Sequence, residues 1–268
     1  QCDWSSDVCS SDLSQFTTAL MLIAPKLQQG LNIFSNGDVV SQSYLDMTIC
    51  VQRKFGIAPL EAAAQIFRYA PGEYVGANYE VEPDASSASY PLAAAAIAGG
   101  RVVVSGLGRS LLQGDSNFVE VLEQMGCSVE HIGDDIALSR SKGSPLKGIS
   151  VDMRDMSDLV PTLAVVAAFA QGATTITGVG FIRKKESDRI GDLAHELRQL
   201  GVSVDELQDG LRVHPSVMHS GSIDTHHDHR LAMSLALIGL VIPGVVVNDP
   251  LVVTKSWPEY WAMLGSLQ

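Results

Sequence analysis

The sequence predicts an α/β fold assembled from a repeated unit of about 70 residues, and three regularities carry that prediction. Three stretches open on Asp and continue as small or apolar runs: DASSASYPLAAAAIAGG from Asp84, DMSDLVPTLAVVAAFAQG from Asp155 and DHRLAMSLALIGL from Asp228, spaced 71 and 73 residues apart. Gly56, Gly126 and Gly201, in KFGI, QMGCSV and QLGVSV, recur 70 and 75 residues apart, each placed as the glycine that ends a helix feeding a strand. Val102–Val104, Thr174–Thr177 and Val245–Val247 are β-branched runs after Gly-containing turns and read as strands. A period near 70 exceeds that of solenoid repeats, so the units are expected to be small α/β subdomains packed around one another.

Taken in chain order, Gln1 to Leu13 (QCDWSSDVCSSDL) has no apolar periodicity and lacks the basic and apolar regions of a signal peptide. It resembles a translated adaptor joined to an incomplete gene, so residues 1–13 are expected to be foreign or disordered, with natural sequence missing upstream. Within the repeats the helices divide into two kinds. Leu92 to Ala98, Leu163 to Ala170 and Leu231 to Leu240 are apolar nearly all round and should be buried, whereas Asn117 to Gln124 and Asp192 to Gln199 are amphipathic and should wet one side. Asp84, Asp155 and Asp228 sit at or near helix starts, where a carboxylate accepts backbone N–H bonds and complements the helix dipole.

The composition bounds the function. The 268 residues are 46% hydrophobic and 18% charged, which fits a folded chain able to bury a large core. Eighteen Lys plus Arg against thirty Asp plus Glu give a net charge of −12, the wrong sign for a nucleic-acid or anionic-membrane binder. Leu231 to Val247, the most apolar stretch, is too short to span a bilayer and contains Pro243 and Gly244. Cys2, Cys9, Cys50 and Cys127 form neither a CxxC pair nor a dense framework, so a reducing cytoplasm is expected.

Charge is nonetheless concentrated where an apolar chain should avoid it. RKKESDR, residues 183–189, packs four of the eighteen basic residues into seven positions after a predicted strand. A solvated charge run is the ordinary explanation, but strand-to-helix junctions of α/β folds are also where ligands collect. Asp228, His229 and Arg230 open the most apolar helix, and Arg230 there is costly unless it pairs with an anion. His226, His227, Asp228 and His229 suggest a metal site only superficially, because adjacent residues do not project onto one face. Lys255, in VVTKSWPEYW, lies at another strand-to-helix corner. Asp158, in DMSDLVPT, precedes a nearly all-apolar helix, where burial would raise its pKa unless cations offset it; it reads equally as a cap or a base.

Together KESDR, DHRLAM, TKSWPEYW, VEPDASSASY and SQFTTALML resemble the enolpyruvyl transferases of the shikimate pathway, the 3-phosphoshikimate 1-carboxyvinyltransferase (EPSP synthase) family, from about Ser14 to the C-terminus. The resemblance implies an inverse α/β fold of repeated βαβαββ units in two domains, with the active site in the cleft between them and the first domain incomplete. Residues 14–83 would be the last unit of the first domain, exposing apolar surface that the full protein buries, and residues 84–268 the three units of the second.

The resemblance also implies residue roles. Ser14 and Gln15 match an element contacting the shikimate phosphate, with Gln15 also near phosphoenolpyruvate, and Leu13 stands where a further Ser is usual. Ser41 and Tyr44 match another substrate-contacting pair. Asp158 matches the carboxylate at the 5-hydroxyl, our candidate base, and Lys185 a lysine on the shikimate phosphate side. Glu186, Arg189, His229, Arg230 and Lys255 match the group around phosphoenolpyruvate. Arg189 and Arg230 would bind in fork geometry, Lys255 would serve the leaving phosphate, Glu186 or Lys255 would deliver the proton, and His229 would orient Glu186. Phe181 stands where many members have an Asn touching shikimate. No metal or organic cofactor is expected, because cations do the electrostatic work. The partners expected are phosphoenolpyruvate and shikimate 3-phosphate alone, with a monomer for the complete chain. The nearest rival is the carboxyvinyltransferase acting on UDP-N-acetylglucosamine, which usually carries a loop cysteine; Cys50 and Cys127 lie in helix-strand contexts instead. A different reading is an inactive fragment of the synthase.

Overall fold

In the computed structural model residues 14–35, 41–63, 65–108 and 111–267 are described. The expectation for residues 1–13, including Leu13, lies outside them. The chain divides into two compact units, residues 1–82 with 112–114, and residues 83–111 with 115–268.

The first unit runs α1 (Ser14–Ile23), β1 (Leu31–Phe34), α2 (Gln42–Lys54), β2 (Glu61–Ala63) and β3 (Ile66–Tyr69), with an antiparallel sheet ordered β1-β3-β2. Met21, Leu45, Ile49, Phe67 and Tyr69 form its small core. Gln52, buried among them, is satisfied by the Met21 carbonyl at 2.9 Å and by Tyr69 and Tyr74 hydroxyls at 2.6 and 2.8 Å, as a buried amide requires. Phe16, Leu22, Ile23 and Phe34 of this unit are exposed.

The second unit runs through three successive stretches of helix and strand. The first runs α3 (Ala85–Ala98), β4 (Gly100–Val104), α4 (Phe118–Gln124), β5 (Ser128–Ile132) and β6 (Asp135–Arg140), with an antiparallel sheet ordered β4-β6-β5. The next is a full βαβαββ unit: β7 (Ser150–Asp152), α5 (Val160–Ala168), β8 (Thr174–Thr177), α6 (Gly191–Gln199), β9 (Val204–Leu207) and β10 (Gly210–Val213). Its sheet is ordered β7-β8-β10-β9, with β7 and β8 parallel. The last has β11 (Gly221–Ile223) parallel to β12 (Val245–Val247), joined by α7 (His229–Ala236), and ends in α8 (Tyr260–Gly265). No strand pair follows β12 among the described residues, so the pattern of two closing strands is not repeated there.

The apolar helices are the core. Every residue of α5 is buried, and α5 packs against both α3 and α7. Each fully buried Leu or Val contributes about 1.5–3 kcal/mol relative to exposure, which is why these segments tolerate almost no charge. One polar thread runs through them. The buried hydroxyls of Ser89, Thr162 and Ser234, one from each helix, lie 3.5 and 3.1 Å apart in series, so each finds a partner that the apolar surroundings deny it.

Helix ends follow the sequence signals with one exception. Asp84 and Asp228 cap α3 and α7 by accepting the Ser87 and Arg230 amides. Asp155 does not cap α5: a 3-10 turn at Ser157–Leu159 intervenes, and the helix starts at Val160. Pro161, which has no N–H to satisfy, favours that later start. Gly56, Gly126 and Gly201 have φ of 81°, 104° and 87°. In each case the next residue's amide reaches back five positions, Ile57 to Gln52, Cys127 to Leu122 and Val202 to Leu197, at 3.0, 3.1 and 3.0 Å. This is the Schellman arrangement, which satisfies carbonyls left over at a helix end. At Gly201 a Cβ would also meet the Val217 carbonyl oxygen at 2.9 Å. Gly201→Ala is expected to lower stability by about 2 kcal/mol, read as a reduced urea midpoint; an unchanged midpoint would show the position is not conformationally demanding.

Candidate active site

Four strand-to-helix connections of the second unit carry the charged residues singled out by sequence. β7 leads to the 3-10 turn bearing Asp158, β8 to the loop bearing Lys185, Glu186 and Arg189, β11 to the start of α7 with Asp228, His229 and Arg230, and β12 to the 3-10 turn ending at Lys255. Both parallel strand pairs deliver their loops at the carboxyl ends of strands, where open α/β sheets build sites.

The charge run 183–189 splits into two jobs. Arg183 pairs with Asp188 at 2.8 Å, and Asp188 accepts the Ile190 and Gly191 amides at 3.1 and 2.9 Å, organising the start of α6. Lys185, Glu186 and Arg189 turn the other way, into a continuous ion-pair network. Arg189 is the hub, only 1% exposed. Its Nε donates to Asp228 Oδ2 at 2.6 Å, Nη1 to Asp158 Oδ1 at 2.9 Å, and Nη2 to Glu186 Oε2 at 2.6 Å and Asp228 Oδ1 at 3.3 Å. Asp158 also accepts from Lys185, and its Oδ2 lies 2.8 Å from Arg230 Nη2. Glu186 Oε1 accepts from Lys255 Nζ at 3.0 Å. Lys185 donates further to Ser157 Oγ at 3.1 Å and stands 5.8 Å from the centre of the Phe181 ring, close enough for a cation–π contact.

Burial and charge fix the protonation states. Burial alone would raise Asp158, but Arg230, Lys185 and Arg189 outweigh it and hold the carboxyl well below the usual carboxylate range. Burial likewise opposes ionisation of Glu186, yet Arg189 and the hydrogen bond from Lys255 bring it down to about 2. For Lys185 burial dominates over Asp158 and lowers the ammonium below its ordinary value. His229 is lowered by burial and then by Arg230, so the imidazole is neutral at pH 7.

Two of the expected residues have surroundings that the sequence did not indicate. Arg189, expected at phosphoenolpyruvate, donates here to three carboxylates, Asp158, Glu186 and Asp228. His229 makes no hydrogen bond to Glu186, whose oxygens are held by Arg189 and Lys255; the His229 Nδ1 is buried with no hydrogen-bond partner among the described residues, 3.8 Å from Asp228 Oδ1. The His-rich run does not converge: His226 bonds Glu196, His227 is exposed, and Asp228 serves Arg189. Among the described residues no group of three His, Cys, Asp or Glu side chains could hold a metal ion, and no helix is long and apolar enough to cross a membrane.

Ser14, Gln15, Ser41 and Tyr44 belong to the first unit. Ser14 and Gln15 open α1, while Ser41, buried with φ 55°, precedes α2, on whose first turn Tyr44 lies. Sequence reasoning missed three residues of the second unit. Asp115 accepts from Ser86 and is pushed up to about 6 by burial, against that hydrogen bond and with the Asp158 charge adding to the rise. The buried Tyr90 ring stacks edge-on with Tyr260 at 5.7 Å, and burial lifts its hydroxyl to about 12 despite the Arg230 charge beside it. Ser157 supports Lys185. An acid such as Asp115, in LLQGDSN, has no periodic context that would betray burial; only tertiary contact reveals it.

The Glu186 carboxyl is depressed on folding, so its contribution is present above about 4.5, its unfolded value, and disappears as pH falls toward 2. Glu186→Gln is therefore expected to flatten the acid limb of the stability profile between those values, measured by urea melts; an unaltered limb would mean the carboxyl is not tuned by this network.

Comparison with known proteins gives the network its context. The model of the family described as EPSP synthase (3-phosphoshikimate 1-carboxyvinyltransferase) matches residues 7–264, reaching back into the segment read as foreign. The chain is 43% identical over 253 residues to a 3-phosphoshikimate 1-carboxyvinyltransferase of Nostoc punctiforme, covering 94% of this chain and 59% of the relative. It is 44% identical over 253 residues to one from Methanosphaerula palustris, with the same coverage. Among solved structures, EPSP synthase from Acinetobacter baumannii superposes with a TM-score of 0.74 at 29% identity, over 95% of this chain and 60% of that one. The enolpyruvyl transferase NikO from Streptomyces tendae, at 20% identity, shares the fold with a TM-score of 0.70, over 92% of this chain and 57% of that one. The chain thus spans about three-fifths of the length of these relatives. With the family model matched along nearly all of its length, on the inverse α/β framework described above, the chain belongs to the EPSP synthase family.

Proposed function

We propose that this chain carries the second-domain part of a carboxyvinyl transfer site, joining phosphoenolpyruvate to the 5-hydroxyl of shikimate 3-phosphate and releasing inorganic phosphate. The observation that carries the reading is the single network in which Arg230, Lys185 and Lys255 surround Asp158 and Glu186, a cationic rim suited to two polyanionic substrates. Residues 14–83 are read as the last unit of a first domain, with Ser14, Gln15, Ser41 and Tyr44 contacting the shikimate moiety or phosphoenolpyruvate. A cytoplasmic setting accords with its soluble metabolites.

In the first step the 5-hydroxyl oxygen forms a bond to the central carbon of phosphoenolpyruvate, and its proton passes to Asp158. Asp158 becomes a stronger base as substrate anions draw Lys185 and Arg230 from it, because those cations are what depress it. The methylene carbon gains a proton at the same time. Glu186, a carboxylate at neutral pH, has no proton of its own to give, so the Lys255 ammonium, 3.0 Å away, is the source. In the second step Glu186 takes a proton back from the methyl group and returns it to Lys255, 3.0 Å away, while the carbon–oxygen bond to phosphate breaks and phosphate leaves as hydrogen phosphate with the proton that Asp158 had taken up. Arg189 keeps Asp158 and Glu186 at fixed separation throughout.

Calorimetric titration tests the reading. Arg230→Ala should weaken phosphoenolpyruvate binding at least tenfold and shikimate 3-phosphate binding less, as expected for loss of a charge-assisted hydrogen bond worth roughly 1.5–3 kcal/mol. Equal losses for both ligands, or preferential binding of UDP-N-acetylglucosamine, would overturn the assignment.

A further inference from the structure

Directly before the network, the chain does something its sequence disfavours. His226 and His227 have φ of 50° and 56°, and the Asp228 amide donates to the Thr225 carbonyl at 2.8 Å. Two positive φ values closed by that bond mark a type I′ turn, where Gly, Asn or Asp is the rule. Two histidines hold it instead, so something outside the turn must impose the conformation. The turn leads straight into Asp228, the buried partner of Arg189, and Arg230, the partner of Asp158.

Glu196 is the external restraint. It lies on α6, is buried, and takes no part in the ion-pair network. Its Oε2 accepts the Asp224 amide at 2.9 Å and its Oε1 meets His226 Nε2 at 2.7 Å. Asp192, one turn earlier on α6, has Oδ1 3.6 Å from His226 Nδ1, and the His195 ring meets the His226 ring edge-on at 6.5 Å. Just before the turn, the Asp224 side chain accepts the His226 amide at 2.8 Å. A buried carboxyl group is costly unless its hydrogen bonds are made, so these contacts, with His195 Nε2 also 4.0 Å from Glu196 Oε1, are mutually enforcing.

We propose that Glu196 is a positioning residue: by clamping the backbone at Asp224 and the ring of His226 onto α6, it holds the strained turn and so sets where Asp228 presents Arg189 and where Arg230 points. The inference rests on the proposed site for its ligand, but the clamp itself has a separate readout. Calorimetry with phosphoenolpyruvate and amide hydrogen exchange, both on the full chain well below its melting temperature, supply the test. Glu196→Ala should weaken phosphoenolpyruvate at least tenfold and speed exchange at the Asp228 and Arg230 amides at least tenfold. Glu196→Gln, which can still accept from Asp224 and pair with the other His226 tautomer, should stay within about threefold. Adding His227→Gly to Glu196→Ala should recover most of the loss, because glycine adopts positive φ without penalty and His227 is exposed. Should Glu196→Ala not fold, His226→Phe keeps the ring and removes the bond, and is expected to show the same losses. Unchanged exchange at both amides in Glu196→Ala or His226→Phe would refute the clamp. Faster exchange with unchanged phosphoenolpyruvate affinity would refute its link to the site. If the parent chain fails to bind phosphoenolpyruvate, the functional reading falls while exchange still decides the clamp.

Discussion

A guanidinium with almost no solvent contact is the constraint on which the second unit turns. Arg189 can be buried only if its donors meet acceptors, and Asp158, Glu186 and Asp228 supply them from three different connections. Removing one partner of such a buried pair costs about 3–5 kcal/mol, so the loops carrying these acids are fixed to one another through a single side chain. The remaining cations are placed in turn: Asp158 gathers Lys185 and Arg230, and Glu186 gathers Lys255. Three carboxylates therefore face four cations, which leaves the cluster one positive charge in excess before any ligand arrives.

That balance explains how opposite requirements coexist. A site for polyanions needs exposed cations, yet cations at the ends of apolar helices are expensive. Carboxylates compensate them and are themselves held ionised, far below their ordinary range in the case of Asp158. Ligand anions can then exchange with carboxylates as partners of the same cations, and electrostatic stabilisation needs little reorganisation.

Much of this was legible in the sequence, and for physical reasons. Burial of α3, α5 and α7 follows from stretches with no polar face, and helix termination from glycines whose spacing repeats with the fold. RKKESDR and DHR stood out because charge at the edge of an apolar segment demands a partner. What could not be read was pairing at long range. Nothing local distinguishes Arg183, which organises α6 with Asp188, from Arg189, which anchors the network, nor predicts that Asp228 both caps α7 and neutralises Arg189. Asp155 looked as good a cap as Asp84, yet the chain inserts a tight turn before α5. The family resemblance set His229 beside Glu186 as the residue that orients it; its Nδ1 is instead buried with no hydrogen-bond partner among the described residues.

The span of the network along the chain has a consequence for biosynthesis. Glu186 meets Lys255 across 69 residues. As the polypeptide leaves the ribosome, the earlier loops emerge with acids and bases that lack their later counterparts, and loop closure over such distances is slow. Nascent chains must therefore keep these charges hydrated until the segment bearing Lys255 has emerged, so that a polypeptide interrupted before that segment would have its ionic centre unassembled.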